Sequence, residues 1–358
     1  MNNDEVNYLC GEDYLKSNLF ETVPVNKALC AFERLRFKIV LTDKRSLSER
    51  EALVLAELYL LDKNEEIPYY LAIDLSDLRR KGNKDALYLL AIMYQRGVSP
   101  FGKDLRQAIS LLEVADKKGK KEASLLLGEC FFKGIGCSIN YDIAEKHLKR
   151  NLDSAKAKTY LGYIYYVNGK IQEGLELLSE ANEEEEVESY YYLGEIYNDQ
   201  KNSFYNKDKA LLYFRLGSDN GDKRCHYPAG KLLSESTDNR KKLIAETYLK
   251  RGKNDKNCLE LLGDIAKKKG DNYLDFYYQS YLSGGDEKKY GLALLKNPKH
   301  SQVGVSLLKQ RADTDSEVAF SLYQYYLPKN RKTADMYLRK AADLGDEDAL
   351  ILLGQKEE

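Results

Sequence analysis

Between Asp85 and Arg150 the apolar positions fall at helical spacing, and one helical pattern is written twice. Ala86, Leu90, Ala91, Tyr94 and Gly97 recur at nearly the same offsets as Ala123, Leu127, Gly128, Phe131 and Gly134. At about 100° per residue, an Ala-x-x-x-Leu-small-x-x-aromatic pattern places its four marked residues within one arc, the face that must be buried. The small residue admits a second helix at close range, and Tyr94, Phe131, Tyr165 and Tyr197 fill volume one turn later.

Taken as an anchor, the small position is found at Gly11, Ala56, Ala91, Gly128, Gly162, Gly194, Gly230, Gly263, Gly291, Tyr323 and Gly354. The intervals are 45, 35, 37, 34, 32, 36, 33, 28, 32 and 31 residues. Such a period holds two short helices and two turns, so the 358 residues form an extended array rather than one globule. The second helix of each repeat is legible from its ends. Residues 68–82, 103–119 and 240–252 finish in Arg79-Arg80-Lys81-Gly82, Lys117-Lys118-Gly119 and Lys250-Arg251-Gly252. Cations there oppose the negative end of the helix dipole, and glycine accepts a left-handed C-terminal conformation. Asp104, Asp142 and Asp208 mark helix starts, where a short polar side chain satisfies free amides. Three departures stand out: the long first interval including Thr42–Arg50, the four carboxylates Glu183–Glu186, and the 28-residue interval before Gly291, which requires a trimmed helix.

Composition removes several function classes. Lys+Arg total 56 against 57 Asp+Glu, for a net charge of −1, which gives no overall attraction to nucleic acid or anionic lipid. Residues 1–13 lack the basic and apolar segments of a secretory signal, and the apolar stretch Ala52–Leu61 is broken by Glu57, so a cytoplasmic, non-membrane protein is expected. The six cysteines (Cys10, Cys30, Cys130, Cys137, Cys225, Cys258) form no C-x-x-C pair and occupy different repeat phases, as expected of buried thiols rather than a disulfide framework. His147, His226 and His300 are the only histidines, which disfavours a metal centre; His226, beside Tyr227, is a further groove candidate. Gly134-Ile135-Gly136 follows no strand and lacks the third glycine of a dinucleotide loop, and no P-loop, nucleophile elbow or zinc-protease helix is present. No cofactor and no catalytic residue is expected.

The segments ALYLLAIMYQRGVSPFGKDLRQAISLLEVADKKG (86–119), ASLLLGECFFKGIGCSINYDIAEKHL (123–148) and KTADMYLRKAADLGDEDALILLG (332–354) resemble the Sel-one-like repeat family, a relative of the tetratricopeptide repeats. The resemblance is strong over 85–222 and 330–354 and weaker elsewhere. It implies an all-α fold: a right-handed α-solenoid superhelix of about ten antiparallel helix pairs, whose concave surface is lined mainly by first helices. The expected organisation is a capping region with a long connection at 1–50, well-matched repeats at 51–222, degenerate repeats at 223–329, and a C-terminal repeat and cap at 330–358. Members of the family are adaptors and scaffolds, bacterial ones including regulators, host-interaction factors and toxin neutralisers.

By similarity to tetratricopeptide repeats, the flank beside the buried arc should face the groove. It reads Tyr88, Ile92 and Gln95; Leu125, Glu129 and Phe132; Thr159, Tyr163 and Tyr166; then Tyr191, Glu195 and Asn198. Tyr88, Phe132, Tyr163, Tyr166 and Tyr191 are expected to form a partner-binding strip, with Glu129 and Glu195 selecting a basic or amide-rich protein or peptide. Against this, a chain with 29 Tyr and no Trp also uses tyrosine simply to pack. Two alternatives are weaker. A cysteine-rich branch of the family is linked to β-lactam hydrolysis, but its cysteines recur between repeats, whereas Cys130 and Cys137 sit within a first helix and its turn. An RNA binder needs a basic groove, which the acidic flank residues oppose.

Overall fold

The computed structural model describes residues 49–61 and 66–357. Gly11, Cys10, Cys30 and most of the Thr42–Arg50 connection lie outside them. Among the described residues the chain folds into nineteen α-helices and no strand, apart from an isolated bridge between Glu66 and Ser99. It divides into two compact units, one ending at Glu186 and the other beginning at Val187. The first holds α1 (Glu49–Leu61), α2 (Tyr69–Arg80), α3 (Lys84–Arg96), α4 (Leu105–Lys117), α5 (Lys121–Lys133), α6 (Tyr141–Leu148), α7 (Ala155–Val167) and α8 (Ile171–Glu183). The second holds α9 (Val187–Asn198), α10 (Lys207–Asp219), α11 (His226–Ser234), α12 (Asn239–Arg251), α13 (Lys256–Lys269), α14 (Leu274–Leu282), α15 (Glu287–Leu295), α16 (Ser301–Leu308), α17 (Ser316–Tyr326), α18 (Arg331–Asp343) and α19 (Glu347–Glu357). That makes nine helix pairs and a last helix among the described residues. None of these helices is long and apolar enough to cross a membrane.

The anchor positions are where the two helices of a pair touch. A Cβ built on Gly128 would lie 2.6 Å from Leu148 Cδ2, one on Gly230 2.5 Å from Leu249 Cγ, and one on Gly263 2.4 Å from Tyr277 Cε1. In the pair α7–α8 the backbones themselves meet. A Cβ on Gly162 would be 2.8 Å from the Gly174 carbonyl oxygen, and one on Gly174 3.1 Å from the Tyr166 amide, so the later part of α7 faces the earlier part of α8. This is antiparallel packing, and only a residue without a side chain permits it. Leucines beside the anchors (Leu90, Leu127, Leu161, Leu193) are at most 1% exposed, each burial contributing about 1.5–3 kcal/mol.

The aromatic three residues after the anchor has a recurring role. Phe131 stacks on His147 with centroids 6.3 Å apart, Tyr197 on Tyr213 at 5.7 Å, and Tyr326 on Tyr337 at 5.7 Å. The carbonyls of Tyr94, Phe131, Tyr197 and Tyr326 accept from the amides of Asp104, Asn140, Asn206 and Asn330, the N-cap residues of the following helices, at 2.7–3.0 Å. One element therefore ends on the start of the next.

The helix ends correct two sequence expectations. Asp104 caps α4 as expected, its carboxylate accepting from the Gln107 amide at 2.9 Å. At the next sites, however, Asn140 and Asn206 are the caps, and Asp142 and Asp208 stand in the first turn, where their charge meets the positive end of the dipole. Gly82 and Gly119 are left-handed, with φ of 76° and 81°. Gly252 is not: its φ is −81°, and glycine is required there because a Cβ would lie 2.4 Å from Cys258 Sγ. Within the acidic turn, Glu185 adopts φ 62°, a conformation that glycine adopts at Gly82 and Gly119. The trimmed helix before Gly291 is α14, nine residues long.

Candidate functional site

Four of the seven flank residues expected to bind a partner come together on α5 and α7. Positions 129 and 132 on α5, and 156, 160 and 163 on α7, lie on facing helical stripes. Phe132 stacks on Tyr160 with centroids 4.7 Å apart and meets the edge of Tyr163 at 5.8 Å; Tyr163 in turn leans on Tyr166 at 5.7 Å. Phe132 is only 6% exposed and Tyr160 is fully buried, so they form the packed base on which the half-buried Tyr163 and Tyr166 stand.

Glu129 is held beside this stack. Lys156 and Lys133 reach its carboxylate at 2.7 and 2.9 Å, and the Tyr160 hydroxyl donates to it at 3.1 Å. Burial works to raise the Glu129 carboxyl, but the two lysines outweigh it and hold it below its ordinary value. Its charge is thus answered within the chain. Tyr88 belongs to another group on α3, with Lys120 5.3 Å from its ring centroid and bonded to Asp85 at 2.7 Å; burial pushes the Tyr88 phenol up. Thr159, on the same flank by sequence, is fully buried and donates to the Ala155 carbonyl at 3.0 Å, because a hydroxyl can be satisfied by the preceding turn.

The other two, Tyr191 and Glu195, belong to the second unit and line a cavity of about 550 Å³ together with Asn198. Arg224 closes one side, its guanidinium 4.6 Å from the Tyr191 centroid and bonded to Asp222 at 2.6 Å. Burial raises the Glu195 carboxyl. Tyr227 and Lys231, which also line the cavity, occupy the same flank positions one repeat later, three before and one after Gly230. A second cavity of about 500 Å³ is lined by the flank residues of the next repeats: Glu260, Asp264 and Lys267, then Lys288, Leu292 and Leu295. The signal that finds these residues is the offset from the anchor glycine, carried on into repeats whose other positions have diverged.

His226, the groove candidate by sequence, is instead buried. Its Nδ1 lies 2.7 Å from Ser218 Oγ, and desolvation pulls its pKa down. Cys130, Cys225 and Cys258 are buried free thiols and Cys137 is half-buried.

The Sel1 repeat family model matches residues 84–116, 121–150, 187–222 and 317–346, which are the pairs α3–α4, α5–α6, α9–α10 and α17–α18. The chain carries Sel1 repeats. No curated protein matches it by sequence. Among solved structures it is similar to a protective antigen of uropathogenic Escherichia coli strains displaying an SLR fold, at 16% identity and TM-score 0.58 over 99% of this chain and 82% of that one. A Sel1 repeat protein from Oxalobacter formigenes matches at 22% identity and TM-score 0.52 over 66% of this chain and 98% of that one. The human IFIT1 dimer with PPP-AAAA matches at 15% identity and TM-score 0.50 over 92% and 81%. The matched repeats include α5, which carries Glu129 and Phe132, and α9, which carries Tyr191 and Glu195, but not α7, which carries Tyr160, Tyr163 and Tyr166.

Proposed function

We propose that the protein is a non-enzymatic scaffold that binds another protein or a peptide on the open flank of its first helices. The observation that carries this reading is the Tyr163–Tyr166 pair, two half-buried rings fixed on the packed Phe132–Tyr160 layer. Rigid aromatic area with a polar tip, already ordered before binding, is the chemistry of interface hot spots. Tyr191 in the second unit offers the same chemistry beside a cavity.

The charges support a polypeptide partner over a nucleic acid. Lys120, Lys133, Lys156, Lys288 and Lys289 on or beside the flank are bonded to carboxylates of the chain, which leaves these five little to offer phosphates, whereas Lys231 on the same flank is exposed over the Tyr227 ring. Cysteine-based hydrolysis is disfavoured because burial pushes the Cys130 thiol up to about 12, away from the thiolate a nucleophile requires.

The test is affinity capture from the native source with the parent chain and the Tyr163→Ala/Tyr166→Ala variant. The reading expects the partner recovered by the parent to be lost from the variant while its far-ultraviolet circular dichroism is unchanged. Undiminished capture would remove the α7 surface from the account.

A further inference from the structure

Among the described residues, the position one place after an anchor glycine is acidic in three repeats: Glu129, Glu195 and Asp264. Two of the three are neutralised by the repeat that follows. Lys156, six residues before Gly162, bonds Glu129 at 2.7 Å; Lys289, two residues before Gly291, bonds Asp264 at 2.7 Å. Each also accepts a tyrosine hydroxyl, from Tyr160 at 3.1 Å and from Tyr277 at 2.7 Å respectively.

Glu195 has lost both sources. The residues six and two before Gly230 are Arg224 and Pro228. Proline carries no charge. Arg224 is committed elsewhere, to Asp222 at 2.6–3.2 Å, to Glu188 at 3.3 Å and to the Tyr192 hydroxyl at 3.1 Å. Among the described residues nothing bonds to the Glu195 carboxylate, although the side chain is half-buried and burial raises its pKa. A carboxylate withdrawn from water without a counter-charge is unfavourable, and it rewards whatever brings one.

We infer that the cavity beside Glu195 receives one arginine or lysine side chain of a partner polypeptide, with Glu195 as its counter-charge. The inference rests on the scaffold reading above. The volume of about 550 Å³ admits a long basic side chain with its own backbone. Tyr205 and Tyr227 bring aromatic rings to the lining, Tyr227 already with Lys231 Nζ 5.9 Å from its centroid, and Asn198 and Asn257 supply amide oxygens. Lys223 and Lys231, exposed at the same cavity, meet the carbonyl oxygens of the segment that carries the side chain.

The experiment is a titration of the full chain with acetylated, amidated pentapeptides carrying arginine, lysine or citrulline at the centre, with free arginine as a separate arm, repeated on Glu195→Gln. The arginine and lysine peptides should bind at least about tenfold more tightly than the citrulline peptide, and Glu195→Gln should abolish that preference. Folding supplies a second readout: Glu195→Gln removes an unanswered buried charge and should raise the urea midpoint, whereas Glu129→Gln, which strands two lysines, should lower it. Equal binding of citrulline, no binding of any basic peptide, or an unchanged preference in Glu195→Gln overturns the inference, and free arginine binding as tightly as the peptides removes the polypeptide source. If Tyr163→Ala/Tyr166→Ala abolishes partner capture while Glu195→Gln changes nothing, the scaffold reading stands and this site does not.

Discussion

Gly162 and Gly174 are packed so closely that a Cβ on Gly174 would lie 2.5 Å from the Gly162 carbonyl oxygen. Backbone cannot yield as a side chain can, so Gly162→Ala should destabilise the first unit. Overpacking costs about 1–3 kcal/mol and the gain in helix propensity returns about 1 kcal/mol, leaving a net loss of up to about 2 kcal/mol. Gly354, which is helical with nothing within 4 Å of its Cβ position, is the control, and Gly354→Ala should be neutral or stabilising. Urea midpoints of the two variants check the difference.

Glu185 is the one non-glycine residue with positive φ among the described residues, at 62°, in a turn with three other carboxylates. Glu185→Gly removes a left-handed strain of about 1–2 kcal/mol and one like charge, against a small entropic loss. It should raise the thermal midpoint. An unchanged or lower midpoint would mean that the turn is not strained.

Asn206 accepts from the amides of Asp208 and Lys209 at 3.1 and 3.0 Å. Asn206→Ala leaves both without that acceptor and should cost about 1 kcal/mol, while Asn206→Gly should cost only a few tenths. Chemical denaturation of the pair separates the cap from a general effect of truncation.

Desolvation lowers the pKa of His226, and it lowers that of His147 in spite of Asp116 beside it. For a base with a depressed folded pKa, the unfolded chain takes up the proton first. Stability is therefore complete above about pH 6.5, the unfolded value, and is lost as pH falls from there toward the folded pKa. Arg251 and Lys223 add to the depression at His226, and Asp222 and Asp255 oppose it. The urea midpoint should fall between pH 7 and pH 5.5, and His226→Gln should make that fall shallower; an equal slope in the variant would contradict the assignment.

Thiol reactivity should follow burial. Cys137 is half-buried, whereas Cys130 and Cys258 are buried and burial pushes each thiol up to about 12, with Cys225 displaced in the same direction. Among the four cysteines of the described residues, iodoacetamide at neutral pH, read by peptide mass mapping, should label Cys137 before Cys130, Cys225 and Cys258, which should react only on unfolding.

The repeat architecture was legible because its cause is local. A glycine lets two helices touch at close range, so the anchors Gly128, Gly162, Gly194, Gly230, Gly263 and Gly291 mark most pairs, including those of α11–α16 outside the matched Sel1 repeats, whereas α17 packs with Tyr323 at that position. Helix ends were legible to within two residues, since aspartates in a first turn resemble caps until the asparagines before them are seen bonding. The site was harder to read. A helical wheel gives the phase of Phe132 but not the Tyr160 ring that covers it, and it gives two acids, Glu129 and Glu195, the same character although only one is paired. Charge pairing between repeats depends on residues about 27 positions apart, such as Glu129 and Lys156, and no local pattern marks it.

The central claim is that the flank carrying Tyr163 and Tyr166 is where another protein binds, and cross-linking in place measures it most directly. A photoreactive phenylalanine analogue at position 166, irradiated in the native cell, should yield one protein adduct that is absent when the analogue replaces Val114, which is 40% exposed on α4. No adduct at 166, or the same adducts at both positions, would contradict it.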